Sequence, residues 1–211
     1  MPERIVLAID GGVASAAALE WTISRAANTD LNVRLMTIDE SAMPVTESSQ
    51  RLEAVRALDH AAGRFAELAP RSKIEMVLFR GKAVDVLARE SVAADLVVIG
   101  SHGSSVLSGV FRVTVPLGLA PRSSLPVVIV PALLAPSEGP VVVGVDEPTS
   151  IAAQELAARE AERLDRDLVL ARAWQLAPMD TMEVLGAGSV EGAIRDANAE
   201  LLATAAAALP D

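Results

Sequence analysis

The sequence predicts an α/β fold: an open five-stranded parallel sheet with helices on both faces, followed by a partial repeat of the same unit. Three observations predict it. Short apolar runs alternate with longer stretches of helical character. The first of those runs, residues 5–9, is continuously apolar, as a strand buried on both faces is. Apolar residues make up 51% of the 211-residue chain, yet only two Trp, three Phe and no Tyr are among them. Small aliphatic side chains must therefore fill the core, which suits close packing of helices on a sheet.

The first run, residues 5–9 (IVLAI), is broken by Asp10, Gly11 and Gly12. An Ala-rich helix is expected from Ser15 to about Ala27, with Leu19 and Ile23 one turn apart. Residues 33–38 make a second strand. After a loop holding Pro44, a long helix spans about 48–68 and closes before Pro70. Residues 74–79 form the third strand, 82–92 a helix, 96–99 the fourth strand and 127–130 the fifth, between Pro126 and Pro131. Such alternation implies right-handed crossovers and a Rossmann-like or flavodoxin-like domain over residues 1–131. Ligands of these sheets bind beyond the carboxyl ends of the strands where strand order reverses. The turns after the first and fourth strands, Asp10-Gly11-Gly12 and Gly100-Ser101-His102-Gly103, are expected there.

A linker over residues 132–140, with Pro136, Gly139 and Pro140, precedes a second beginning. "VVVGVDEPTSIAAQELAAREA" from Val141 echoes "IVLAIDGGVASAAALEWTISRA" from Ile5, with Asp146 in the place of Asp10. "LVLARAW" from Leu168 echoes "VRLMTI" from Val33, and a helix over about 190–209 echoes the one before Pro70. Residues 141–211 thus read as the first two strands and two helices of a second unit. Its first strand would have a bare apolar edge. Either a longer tandem protein has been shortened, which is the favoured reading, or the half-unit docks on the first domain or on another chain.

Charge and composition exclude several functions. Acids outnumber bases 28 to 18, for a net charge of −10. Phosphate neutralisation needs a basic surface, so no nucleic-acid partner is expected. No window approaches the apolar length of a membrane span, and the N-terminus lacks the apolar run of a signal peptide. With no cysteine, disulfides and thiolate metal sites are out, and a cytoplasmic setting is the simplest reading.

Nucleotide signatures are selective too. No G-x4-G-K-S/T occurs, and no G-x-G-x-x-G follows the first strand. "DGGVAS" lacks the leading Ser and later Asp of an ATP-pyrophosphatase loop. Arg80-Gly81 stands where a phosphoacceptor domain would need Asp. The stretch "VVIGSHGSSVLSGVFRVTV" has instead Gly100, Gly103 and then Val113-Thr114, close to G-x2-G-x9-G-S/T. The first run ends in Asp10, followed by Gly11 and Ser15. "LFRGKAVDVLARESVAADLVVIGSHG" and "LPVVIVP" complete the pattern.

On these motifs residues 4–131 resemble a universal stress protein domain, and the chain a tandem member with a shortened second domain. The resemblance implies an adenine-nucleotide α-hydrolase-like fold and an adenine-nucleotide ligand, ATP, with Mg2+ accompanying it. Carried over by position, Ala8, Ile9 and Asp10 would meet the adenosine end, and the backbone of Ile38 the base. Gly100 and Gly103 would let the chain pass close to ribose and phosphates. Val113, Thr114 and Val115 would meet the phosphates at a helix start, where orphan N–H groups favour an anion. It also implies association, usually through the fifth strand's edge, as a homodimer or a pseudo-dimer of tandem domains. No catalytic residue is implied, and the expected role is a stress-response regulator acting through conformational or oligomeric change, with any turnover slow and incidental.

Val113 departs from the family pattern, which has glycine there. A β-branched side chain forbids positive φ and adds bulk. A second reading is therefore a dimerising scaffold of the same fold that binds no nucleotide. Simpler expectations hold elsewhere. His102 has no evident catalytic partner, His60 lies on a helix surface, Trp21 and Trp174 pack, and Glu155, Glu160 and Glu162 form a solvated face paired with Arg159 and Arg163.

Overall fold

The computed structural model describes residues 1–40, 49–101, 115–133, 138–146, 151–175 and 187–209. They belong to two units, Met1–Ala135 and Pro136–Asp211. His102, Gly103, Val113 and Thr114, and the loop with Pro44, lie outside the described residues.

In the first unit β1 (Glu3–Ala8), α1 (Val13–Arg25), β2 (Leu31–Asp39), α2 (Ser49–Leu68), β3 (Lys73–Arg80), α3 (Ala83–Glu90), β4 (Leu96–Ser101), α4 (Val115–Leu119) and β5 (Val127–Pro131) follow in order. The sheet is wholly parallel, in the order β3-β2-β1-β4-β5. From the central β1 the chain runs outward through β2 and β3, then crosses to the other side for β4. Strand order therefore reverses between β1 and β4, and the predicted five-stranded α/β sheet is the one observed.

The continuous apolar runs are explained by two cores, one on each face. Ile5, Leu7, Val33, Leu35, Leu96 and Val98 point to one side, under Leu19 and Ile23 of α1 and Leu58, Ala61 and Phe65 of α2. Val6, Met36, Val97 and Ile99 point to the other, under Val86 and Leu87 of α3 and Leu119 of α4. Phe65 is fully buried and is the largest such side chain.

Charged pairs close the amino-terminal ends of the strands. Arg4 donates from its side chain to both oxygens of Asp95, at 2.6 and 3.2 Å, and its backbone N–H adds a third bond at 2.9 Å. These bonds hold the Asp95 carboxyl below its ordinary range. The buried Arg25 donates to Glu3 at 2.6 and 2.9 Å and lies 5.5 Å from the centre of the Trp21 ring.

The fourth strand departs from expectation. It runs through Gly100 and Ser101, because these pair with Val130 and Pro131 of β5. They are strand residues, not turn residues. The same glycine allows a close helix–strand approach: a Cβ on Gly100 would lie 2.2 Å from both the carbonyl carbon and the oxygen of Ala14 in the first turn of α1. The helix after β3 also ends earlier than expected, at Glu90, where a 3₁₀ turn over Ser91–Ala93 takes over.

The second unit contains β6 (Val141–Gly144), α5 (Ile151–Leu164), β7 (Leu168–Ala171) and α6 (Ala187–Ala207). Its two strands are parallel, and Val141 pairs with Leu168 as Ile5 pairs with Val33. Val143, Val145, Ala157 and Ala161 are buried, whereas Val142 and Val169 on the opposite face are exposed. Trp174 is 38% exposed and belongs to neither hydrophobic cluster of the described residues. Arg163 pairs with Glu160 at 2.8 Å, one of the expected intrahelical contacts.

Four outcomes follow for stability. Phe65→Ala lowers unfolding free energy by about 3–5 kcal/mol in denaturant titration. Gly100→Ala costs about 3 kcal/mol or more, since backbone and not a movable side chain blocks the methyl. Gly63→Ala, on α2 with nothing within 4 Å of the new Cβ, raises stability by about 0.5–1 kcal/mol. Because the Asp95 carboxyl is depressed in the folded state, its contribution is present above the unfolded pKa near 3.8 and lost as pH falls through the folded value. Both partners are half-exposed, so Asp95→Asn removes less than about 1 kcal/mol at pH 7 and flattens the acid limb of a stability–pH profile.

Candidate functional site

A cleft of about 490 Å³ opens at the carboxyl ends of β1, β2 and β4, where strand order reverses. The sequence-predicted Ala8, Ile9, Asp10, Ile38, Gly100 and Val115 all line it. Gly103, Val113 and Thr114 lie outside the described residues.

Each wall has a local cause. After β1 the chain must turn sharply into α1, and Gly11 takes φ +80 to do so. Asp10 stabilises the turn by accepting the Gly12 N–H at 2.8 Å. The exposed Asp10 carboxylate thus stands at the rim with acceptor capacity to spare. Gly12 is the N-cap of α1 and provides no side-chain bond to the helix. The Ser15 hydroxyl donates back to the Gly12 carbonyl at 3.0 Å. Backbone N–H groups of the first turn therefore supply the positive end of the helix at this wall, near Ala14 and Ser15. The turn is tied to the sheet: Ile9 N–H donates to Met36 O at 2.8 Å, and the buried Thr37 hydroxyl donates to Ile9 O at 2.6 Å.

The opposite wall is apolar. Met36 and Ile38 come from alternate positions of β2, Ala83 and Leu87 from successive turns of α3, and Ile99 from β4. Pro116, at the second position of α4, and Ser101 complete the β4 side. Sequence reasoning placed Ile38 here but assigned no site role to Met36, Ala83, Leu87, Ile99 or Pro116. Period two from Ile38 reaches Met36, and a four-residue step links Ala83 to Leu87, so the signals were present. Glu40 was also missed. It follows β2 directly, and its Oε1 accepts the Ala83 N–H at the start of α3 at 2.6 Å.

The arrangement offers an apolar wall beside two carboxylates, with backbone N–H groups at the far wall. A planar heteroaromatic ring with a polar, anionic extension matches that distribution. No group of three acid, His or Cys side chains is placed to hold a metal among the described residues. No helix among the described residues is long and apolar enough to cross a membrane.

Comparison with known proteins agrees with this architecture. A universal stress protein of Mycobacterium bovis is 27% identical over 204 residues, covering 83% of this chain and 64% of its own length. The chain thus spans less than two thirds of that relative. A universal stress protein solved in complex with cAMP is 26% identical, covers 63% of this chain and 98% of its own, and superposes with a TM-score of 0.50. A family member from Arabidopsis thaliana solved with AMP bound is 19% identical, with a TM-score of 0.51 over 65% of this chain and 97% of its own. The model of the universal stress protein family matches residues 1–131. With the sheet order and the motifs of the first unit, that match decides the assignment: this chain belongs to the universal stress protein family.

Proposed function

We propose that the first unit binds an adenine nucleotide, ATP or AMP, in the cleft at the ends of β1, β2 and β4, and that the protein acts as a nucleotide-responsive stress regulator. One observation carries this reading. Residues from three separated segments, Asp10, Ile38 and Gly100, line a single cleft at the point where strand order reverses. A relative 26% identical to this chain was solved with cAMP, which supports an adenine ring in the apolar slot. Occupancy would be signalled by a change of conformation or of association, in a homodimer or between tandem domains. Turnover forms no part of the reading: Asp10 and Glu40 each accept a backbone N–H and serve the cleft as acceptors. Cytoplasmic residence accords with the cysteine-free composition.

The second unit supports a tandem arrangement. Its β6, α5, β7 and α6 stand in the order of β1, α1, β2 and α2. It differs at the strand ends. Where Thr37 bonds the Ile9 carbonyl, Arg172 bonds the Val145 carbonyl at 3.3 Å and also the Asp146 carboxylate at 2.9 Å. The counterpart of Asp10 is therefore held in an ion pair, and we assign nucleotide binding to the first unit alone.

Calorimetric titration of ATP and AMP into the protein and into Val113→Gly tests the reading. We expect micromolar binding at one equivalent per chain, strengthened about tenfold by the glycine if it relieves a strained backbone. Binding by the glycine variant alone would establish the scaffold reading, in which Val113 closes the cradle. Binding by neither protein would overturn the nucleotide reading.

A further inference from the structure

The geometry points to Glu40 as the residue that reads the base, selecting a purine with an amino group at position 6 over one with a carbonyl there. This rests on the nucleotide reading above and goes beyond it by assigning the discrimination to one side chain.

The position of Glu40 is set by two bonds between the end of β2 and the turn before α3. Gly81 N–H donates to Asp39 O at 3.0 Å, and Ala83 N–H donates to Glu40 Oε1 at 2.6 Å. Gly81, at φ +138, allows the turn. Lys82, the N-cap of α3, makes no side-chain cap bond, so Glu40 satisfies the helix start from a distant part of the chain. A carboxylate there is also favoured by the helix dipole. The result is an acid fixed at the same rim as Ile38, Ala83 and Leu87, the apolar slot suited to a base.

One oxygen of that carboxylate is committed to the helix. The other accepts no bond from the described residues and remains an acceptor with no proton to give. A base lying between Ile38 and Leu87, its polar edge turned to the end of β2, brings its position 6 toward this oxygen. The amino group of adenine donates to it, and a bond to a charged acceptor is among the stronger kinds. The carbonyl of hypoxanthine or guanine sets acceptor against acceptor. Guanine can pair with a carboxylate through its N1 and N2 hydrogens, but that pairing needs both oxygens presented side by side to the base, and the bond from Ala83 N–H fixes one of them toward the start of α3. A site built for an N–H rejects analogues that lack it more strongly than apolar walls reject a change of size.

The test compares AMP, IMP and GMP by equilibrium dialysis on the full chain, as wild type, Glu40→Gln and Glu40→Ala, with circular dichroism confirming that each variant is folded. Wild type should bind AMP about tenfold more tightly than IMP or GMP. Glu40→Gln keeps an oxygen for Ala83 and turns a donor to the cleft, so AMP affinity should fall, IMP affinity rise, and the ratio approach one. Glu40→Ala should lose the preference by weakening AMP alone. An AMP-to-IMP ratio unchanged in folded Glu40→Gln overturns the assignment of Glu40 and leaves the nucleotide reading intact. Failure of wild type to bind any of the three overturns both.

Discussion

The architecture of the first unit depends on one contact: the backbone of Gly100 lies directly against the first turn of α1. An added methyl would stand 2.2 Å from the carbonyl group of Ala14, so α1 can rest this deep only on glycine. Because it does, the β1–α1 turn and the end of β4 share one cleft. Asp10, the uncapped start of α1 and the end of β4 are brought together there. The bonds from Ile9 to Met36 and from Thr37 to Ile9 then draw the end of β2 into the same place. Remove the close approach, and the strand ends would splay before any ligand could bridge them.

The two ends of the sheet divide the remaining work. Ion pairs between Arg4 and Asp95, Arg25 and Glu3, and Arg34 and Glu75 gather at the amino-terminal ends. The carboxyl ends keep a largely apolar slot with acids only at its rim. The chain carries a net charge of −10, so its long-range field repels an anionic ligand. At physiological ionic strength that field fades over about 8 Å. Affinity must therefore come from apolar burial of a ring and from local backbone N–H groups. A nucleotide of low charge would gain most from such a site.

The sheet was readable from sequence because its inner strands β1 and β4 are buried on both faces, which leaves uninterrupted apolar runs such as residues 5–9 and 96–99. The cleft was readable where its walls are built on backbone punctuation: Asp10, with Gly11 and Gly12, and Gly100. The remainder required the third dimension. Gly100 and Ser101 looked like a turn because glycine and serine break propensity, yet pairing with Val130 and Pro131 holds them in strand. Glu40 carried no motif, and only the fold brings it to Ala83, 43 residues away in sequence. Trp174 was expected to pack because tryptophan usually does. It lies just beyond β7, in a unit whose described sheet has two strands and an exposed face.

The two units show how little sequence change separates a cleft open to a ligand from a strand end closed on itself. Both keep an acid after the first strand and the same strand register. Thr37 spends its one donor on a carbonyl, whereas Arg172 reaches the carbonyl, the acid and Asn198 together. The most direct test of the account maps backbone amide shifts of isotope-labelled protein during titration with AMP. The account predicts perturbations concentrated at residues 8–12, 38–40 and 100–101, with residues 168–172 silent. Saturable binding that leaves those three segments unshifted, or that perturbs residues 168–172 instead, would contradict it.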